Sequence, residues 1–320
     1  MDEGLGVAAE GLVDPVGARG ARGHGRAWDD PASWPAERPE GDPVLETTPD
    51  GPTRASTSPW AVIVVWLLVS SAAAVGMLSL QEPLGVPSGV LSLVMLAPAI
   101  GAGATWLLVP RARHAGLPAA STARFLFSLM LASIAVGVFV LGVRLARGES
   151  PAVPEALVDT PLALILVAQL LGAVCEEVGF RGVLLHQLLR RVSRPIAAVV
   201  DGALFALWHV QYFSLPPLQH AAFVLAAIAL TVTMVFVMTG SFWQRIAICS
   251  VIHLGANLAL AFTGEDVVDM TVFAAISLVA AGILVPAAIL RDRRSIPAEG
   301  PGHRRDVLDR EGEDPPSAIH

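Results

Sequence analysis

Between Trp60 and Leu290 the chain is a succession of apolar stretches, at about 60–80, 87–109, 123–143, 161–190, 196–213, 220–239, 242–262 and 268–290. This limits its fold more than any other feature. A bilayer needs roughly 20 apolar residues per helix at about 1.5 Å rise per residue, so the pattern predicts an all-α, polytopic membrane protein. The expected form is a bundle of about eight transmembrane helices joined by short loops, of which the fifth is the shortest. Composition agrees: 54% of the 320 residues are hydrophobic, 15% are charged, and mean hydropathy is +0.62, too apolar for a soluble domain.

The polar residues gather at the two ends. Residues 1–58 are rich in Gly, Pro, Asp and Glu without hydrophobic periodicity, and such a segment buries too little apolar surface to offset the entropy of ordering it. They read as a disordered acidic tail, and 291–320 as a second, leaving 59–290 as the membrane domain. The start lacks an apolar run after basic residues, so the first span is expected to direct insertion. The formal charge of −7 sits mostly in the tails and says little about partners; a lipid bilayer is implied and no nucleic acid. Every basic residue is Arg. Cys175 and Cys249 both fall inside predicted spans, which speaks against a disulfide framework. Internal repeats, nucleotide-binding motifs and paired broken helices are absent.

Basic residues close to the spans set the orientation. With the N-terminus inside, cytoplasmic segments hold Arg54, Arg111, Arg113, Arg124, Arg190, Arg191, Arg194, Arg245, Arg291, Arg293 and Arg294, against Arg144 and Arg147 outside. The expectation is a multi-pass protein of the cell membrane with both termini cytoplasmic.

Against this background three polar groups stand out: Glu176-Glu177 with Arg181, then His209, then His253 with Asn257. Ionisable side chains at membrane depth are costly, and each invites a functional reading. Glu176 lies 14 residues before Arg190, and His209 lies 14 residues after Pro195, so both should sit roughly 21 Å from the turn between their helices. His253, 13 residues beyond Gly240, should reach a similar height of about 20 Å. Glu177 and Arg181 are four apart with the acid first, as are His253 and Asn257, so each pair shares a helix face.

Such a cluster suits hydrolysis. A carboxylate shielded from bulk water can serve as general base, with an imidazole orienting the same water, while the second imidazole and an amide stabilise the oxyanion. Two imidazoles and a carboxylate, Glu176, His209 and His253, would also make an open zinc site. The residues themselves do not choose between these two.

Glu176-Glu177-Val178-Gly179-Phe180-Arg181-Gly182 resembles the EExxxRG motif of the CAAX prenyl endopeptidase and bacteriocin-processing family of intramembrane proteases, also called the abortive-infection-like family. Phe205 to His209 is similar to its FxxxH motif, and His253 to Asn257 to its third motif, preceded by the usual lead-in at Thr239 to Trp243. The match covers about 160–262, with all three motifs in order on successive hydrophobic helices. The resemblance implies a polar cavity opening toward membrane and cytosol, with Glu176 and His209 activating water, His253 and Asn257 stabilising the oxyanion, and Glu177 and Arg181 in support. It leaves open a zinc mechanism or one with no required cofactor, of which the glutamate account is preferred here. Asp201 departs from the family pattern, where small residues are more usual. Its nearness to the turn places it at the interface.

The expected activity is cleavage of a membrane-associated protein or peptide near its cytoplasmic side. The alternative is a non-catalytic transporter or immunity-type binding protein using the same polar cluster.

Overall fold

The chain forms helices α1 (Pro59–Gln81), α2 (Ala97–Leu108), α3 (Thr122–Arg147), α4 (Leu162–Gly179), α5 (Leu185–Leu188), α6 (Arg194–Trp208), α7 (Pro217–Val237), α8 (Phe242–Thr263) and α9 (Val267–Arg294). A 3-10 turn at Leu93–Leu96 leads into α2, and another at Val210–Ser214 follows α6. A π-helical turn at Phe180–Leu184 makes α4 and α5 one rod. This computed structural model describes residues 57–112, 116–148, 159–263 and 267–294, with no β-strand among them. Most of the two expected tails therefore lies outside the described residues. At the C-terminal boundary α9 runs on to Arg294, past the expected break at 291.

Each of the eight apolar stretches is helical, but they are not eight equal spans. Six helices have the length and apolar character to cross a membrane: Pro59–Gln81, Thr122–Ala146, Leu162–Leu188, Pro217–Val237, Phe242–Ala261 and Met270–Arg294. α2 and α6, at 12 and 15 residues, are shorter legs of about 18 and 22 Å. The second stretch loses its first residues because Pro87, Ser88 and Gly89 form a turn rather than helix. α6 starts at Arg194 with Pro195 in its first turn, where a missing N–H does no harm, and stops at Trp208 because His209 leaves the helical region at φ −83°, ψ 64°.

Hydrogen bonds at one end show how the hairpins stand. Arg291 donates to Ser128 Oγ at 2.7 Å and to the Val237 carbonyl at 2.8 Å. Arg194 donates to the Val235 carbonyl at 2.6 Å, and Arg124 pairs with Asp292 at 2.8 Å. The last carbonyls of α7, which have no partner within their own helix, are thus satisfied by arginines from α6 and α9. Gln244 adds a cap, its Oε1 accepting from the backbone N–H of Ser241 and of Ala120 at 2.9 Å each. The starts of α3, α6 and α8 and the ends of α7 and α9 therefore share one arginine-bearing end. At the other end Gln81 ties α1 to the following turn, its Nε2 donating to the Val86 carbonyl at 2.6 Å while its Oε1 accepts from Leu93 N–H at 2.7 Å.

The outside of the bundle is apolar. Leu68, Val75, Leu107, Leu145 and Val167 are all exposed, a surface suited to lipid rather than water. This is a multi-pass membrane protein. Inside, small residues let helices close in: a Cβ on Gly202 would meet the Ile228 Cα at 2.7 Å, so α6 and α7 touch backbone to backbone there. Gly202→Ala should lower stability by about 1–3 kcal/mol, whereas Gly103→Ala, with nothing within 4 Å of the added carbon, should not. Thermal unfolding in detergent reads the difference, and equal melting temperatures would contradict the close contact.

Candidate active site

The polar residues of three helices meet in one layer. Glu176 and Glu177 stand on the last turn of α4, His209 at the end of α6, and His253 and Asn257 on α8. His253 Nε2 lies 3.3 Å from Glu176 Oε2, and His209 Nε2 lies 4.0 Å from Glu176 Oε1. The two imidazoles thus flank one carboxylate, each facing a different oxygen. Asn257 lines the cavity beside them.

Each ring is held from behind. His209 Nδ1 is 2.8 Å from the Phe205 carbonyl oxygen, and a carbonyl only accepts, so Nδ1 carries the proton and Nε2 is turned toward Glu176. His253 Nδ1 donates to Glu177 Oε1 at 2.7 Å, so its Nε2 likewise points at Glu176. Nε2 and Oε2 face each other across 3.3 Å. The sequence placed Glu177 with Arg181 alone. Its second role, orienting His253, follows from the crossing of α4 and α8, which spacing within one helix does not reveal.

Behind the histidines is a buried ion cluster. Arg181 Nε lies 3.1 Å from Glu177 Oε2 and 3.4 Å from Asp201 Oδ2, and its Nη2 donates to Thr231 Oγ1 at 2.7 Å. Asp201 is 0% exposed, which corrects its expected place at the interface: the α6 face that carries it packs inward, toward α7 and the guanidinium. The π-helical turn holds Phe180, packed edge-on against Trp66 at 5.1 Å and Phe205 at 5.0 Å. In the sequence Phe205 was legible only as the first residue of the FxxxH-like motif. Its ring also sits 4.6 Å from the His209 ring, 5.4 Å from the His253 ring and 5.1 Å from the Arg181 guanidinium carbon, so it is the wall against which all three are set.

A cavity of about 1030 Å³ adjoins the cluster, lined by Glu176, His209, His253 and Asn257 at its base. From there it runs past Leu78, Ser88 and Ser92 beyond the middle of α1, and past Gln211 in the turn after α6. These positions lie at the end of the bundle away from Arg194, Arg245 and Arg291. The arginine-bearing end holds the arginine and carbonyl network, and none of its arginines lines this cavity.

The zinc alternative meets a geometric difficulty. Among the described residues, no group of three or more His, Cys, Asp or Glu is arranged to hold a metal ion. Glu176, His209 and His253 carry suitable donor atoms, but the rings approach opposite oxygens of one carboxylate instead of a common point about 2 Å from each donor. No step through a metal follows from this arrangement. Cys249, one turn from His253, is a free buried thiol, and Cys175 is also free.

The ion cluster generates a stability test. Removing one partner of a buried pair strands the other charge and costs about 3–5 kcal/mol. Asp201→Ala and Arg181→Met should each fall in that range, and the Arg181→Met/Asp201→Ala double variant should lose less than the two losses together. Denaturation of the four proteins in detergent measures the coupling, and strict additivity would mean that the two groups do not interact.

Residues 158–259 match the family described as type II CAAX prenyl endopeptidase Rce1-like. No curated protein matches the chain. The matched segment contains every residue of the polar layer, from Glu176 on α4 to Asn257 on α8, together with the arginine cluster behind it. By that match and those three motifs, residues 158–259 of this membrane bundle are similar to the type II CAAX prenyl endopeptidase Rce1-like family, a family of proteases.

Proposed function

We propose that the chain is an intramembrane endopeptidase that hydrolyses a peptide bond of a membrane-associated protein or peptide, and that Glu176 is its general base. The observation that carries this reading is the carboxylate flanked by two imidazoles at the base of a cavity large enough for a peptide segment. Glu176 with His209 takes a proton from water, whose oxygen adds to the scissile carbonyl carbon. His253 and Asn257 donate to the oxyanion. As the C–N bond breaks, the proton held at Glu176 passes to the leaving amine, which balances the reaction. Glu177 and Arg181 act through His253, as positioning residues.

Removal of a general base or its partner typically costs 10²–10⁴-fold. Glu176→Gln and His209→Ala should therefore each reduce cleavage of a susceptible peptide by about that factor, while thermal unfolding shows that the protein still folds. Unchanged cleavage in Glu176→Gln would overturn the assignment.

The reading uses no metal. Exhaustive treatment with a chelator should leave cleavage by the purified protein unchanged, and loss of activity restored by added zinc would replace the glutamate mechanism with a metal one. By arginine placement, the protein lies in the cell membrane with both termini in the cytoplasm.

A further inference from the structure

We infer that the groove between α3 and α9, at the arginine-bearing end of the bundle, binds the phosphate of an anionic phospholipid whose acyl chains lie on the apolar faces of the same two helices. The groove is separate from the polar layer. Its reading depends neither on the peptidase assignment nor on which way the chain crosses the bilayer.

A pocket of about 510 Å³ opens there, lined by Arg124 and Phe127 of α3 and by Leu290, Arg291 and Arg294 of α9. Charge is what marks it. Asp292 lies 2.8 Å from Arg124, 2.8 Å from Arg291 and 3.5 Å from Arg194 of α6, and among the described residues it is the one carboxylate with which these arginines pair. Arg294, exposed on the last turn of α9, adds a fourth guanidinium. Four cations against one anion leave an excess of three positive charges.

Hydrogen bonding within the bundle does not remove that excess. Arg291 is well supplied with acceptors, the Ser128 hydroxyl and the Val237 and Phe236 carbonyls, but these are neutral and leave its charge in place. The C-terminal ends of α7 and α9 each carry roughly half a negative charge, and the N-terminal ends of α3 and α6 return as much. The helix ends therefore cancel. Ser121 and Ala123 bring the start of α3 to the pocket, and no acidic side chain occupies its first turn. Charge left uncompensated beside hydrocarbon is costly, and the planar fork of a guanidinium matches a pair of phosphate oxygens.

The apolar part of the groove identifies what carries the anion. Phe127 and Leu290 line the pocket and are exposed, and seven residues further from the arginine-bearing end Ile134 on α3 and Ile283 on α9 are exposed too. Residues seven apart share a helix face, so each helix presents an apolar stripe running about 10 Å away from the arginines. A free phosphate has no use for such a stripe. A phospholipid supplies both parts in this order, a charged headgroup at the interface and chains below it, and basic pockets between transmembrane helices are places where anionic headgroups bind. A zwitterionic headgroup brings its own cation and would leave the excess uncorrected.

Lipid binding to the full chain in a non-ionic detergent tests this. Native mass spectrometry measures the affinity for dioleoyl phosphatidylglycerol and for dioleoyl phosphatidylcholine, which share their acyl chains and differ in headgroup charge. Phosphatidylglycerol should bind roughly tenfold or more tightly. Arg124→Gln and Arg294→Gln should each weaken its binding about fivefold, the effect of one basic side chain near a membrane surface, whereas Arg144→Gln, toward the other end of α3, should leave it unchanged. Equal affinity for the two lipids, unchanged binding in either groove variant, or equal weakening by Arg144→Gln would each overturn the inference. Inorganic phosphate at the same concentration as the lipid should not compete, and displacement by it would reduce the groove to a simple anion site and overturn the lipid reading. If thermal unfolding shows that Arg124→Gln does not fold, Arg294→Gln decides. Cleavage plays no part in the readout, so loss of this inference leaves the peptidase assignment standing, and loss of that assignment leaves lipid binding unmoved.

Discussion

The structure turns on one guanidinium. Arg181 lies buried between Glu177 and Asp201, and a charge at this depth is tolerable only because partners on two helices meet it. Its grip fixes Glu177, Glu177 fixes the ring of His253, and His253 faces Glu176. A hydrogen-bonded chain of this kind has few alternative arrangements, because each member left unpaired would be stranded in a low-dielectric interior. The order of the reacting groups is thus set from behind, by residues that do not themselves reach the cavity.

Helix length does the rest. α6 is too short to match its neighbours, and its end brings His209 out of helical geometry just where α4 offers Glu176. Had α6 continued for another turn, the His209 ring would follow the helix face and its Nδ1 would lose the fixed relation to the Phe205 carbonyl. The shortfall also leaves room above the layer, filled by the turn at Val210–Ser214 and by the cavity. Closure at one end and opening at the other follow from the same asymmetry: arginines cap helix carbonyls at the first, while short polar side chains border the second.

Much of this was readable from the chain. Helical character followed from apolar runs, and the common height of Glu176, His209 and His253 followed from counting residues to each turn, because rise per residue is nearly constant in a straight helix. What depended on crossings between helices was not readable. Counting put Asp201 near an interface, yet the face on which it sits is packed against α7 and Arg181. Spacing tied Glu177 to Arg181, but only the approach of α8 gives Glu177 to His253 and sets Glu176 at the cavity. Two of the eight apolar runs proved shorter than spans, since Pro87 to Gly89 and His209 break helices that hydropathy alone would extend. Which helix ends border the cavity was not readable either, because no residue count reports which end of a bundle is plugged.

The central claim is that Glu176 and His209 act on one water as a unit. Its most direct measurement is the rate of peptide cleavage by the two single variants and the Glu176→Gln/His209→Ala double variant. Groups that work as a unit are grossly non-additive, so the double variant should be no slower than the slower single one. Losses that multiply across the two positions would show independent roles and contradict the shared water.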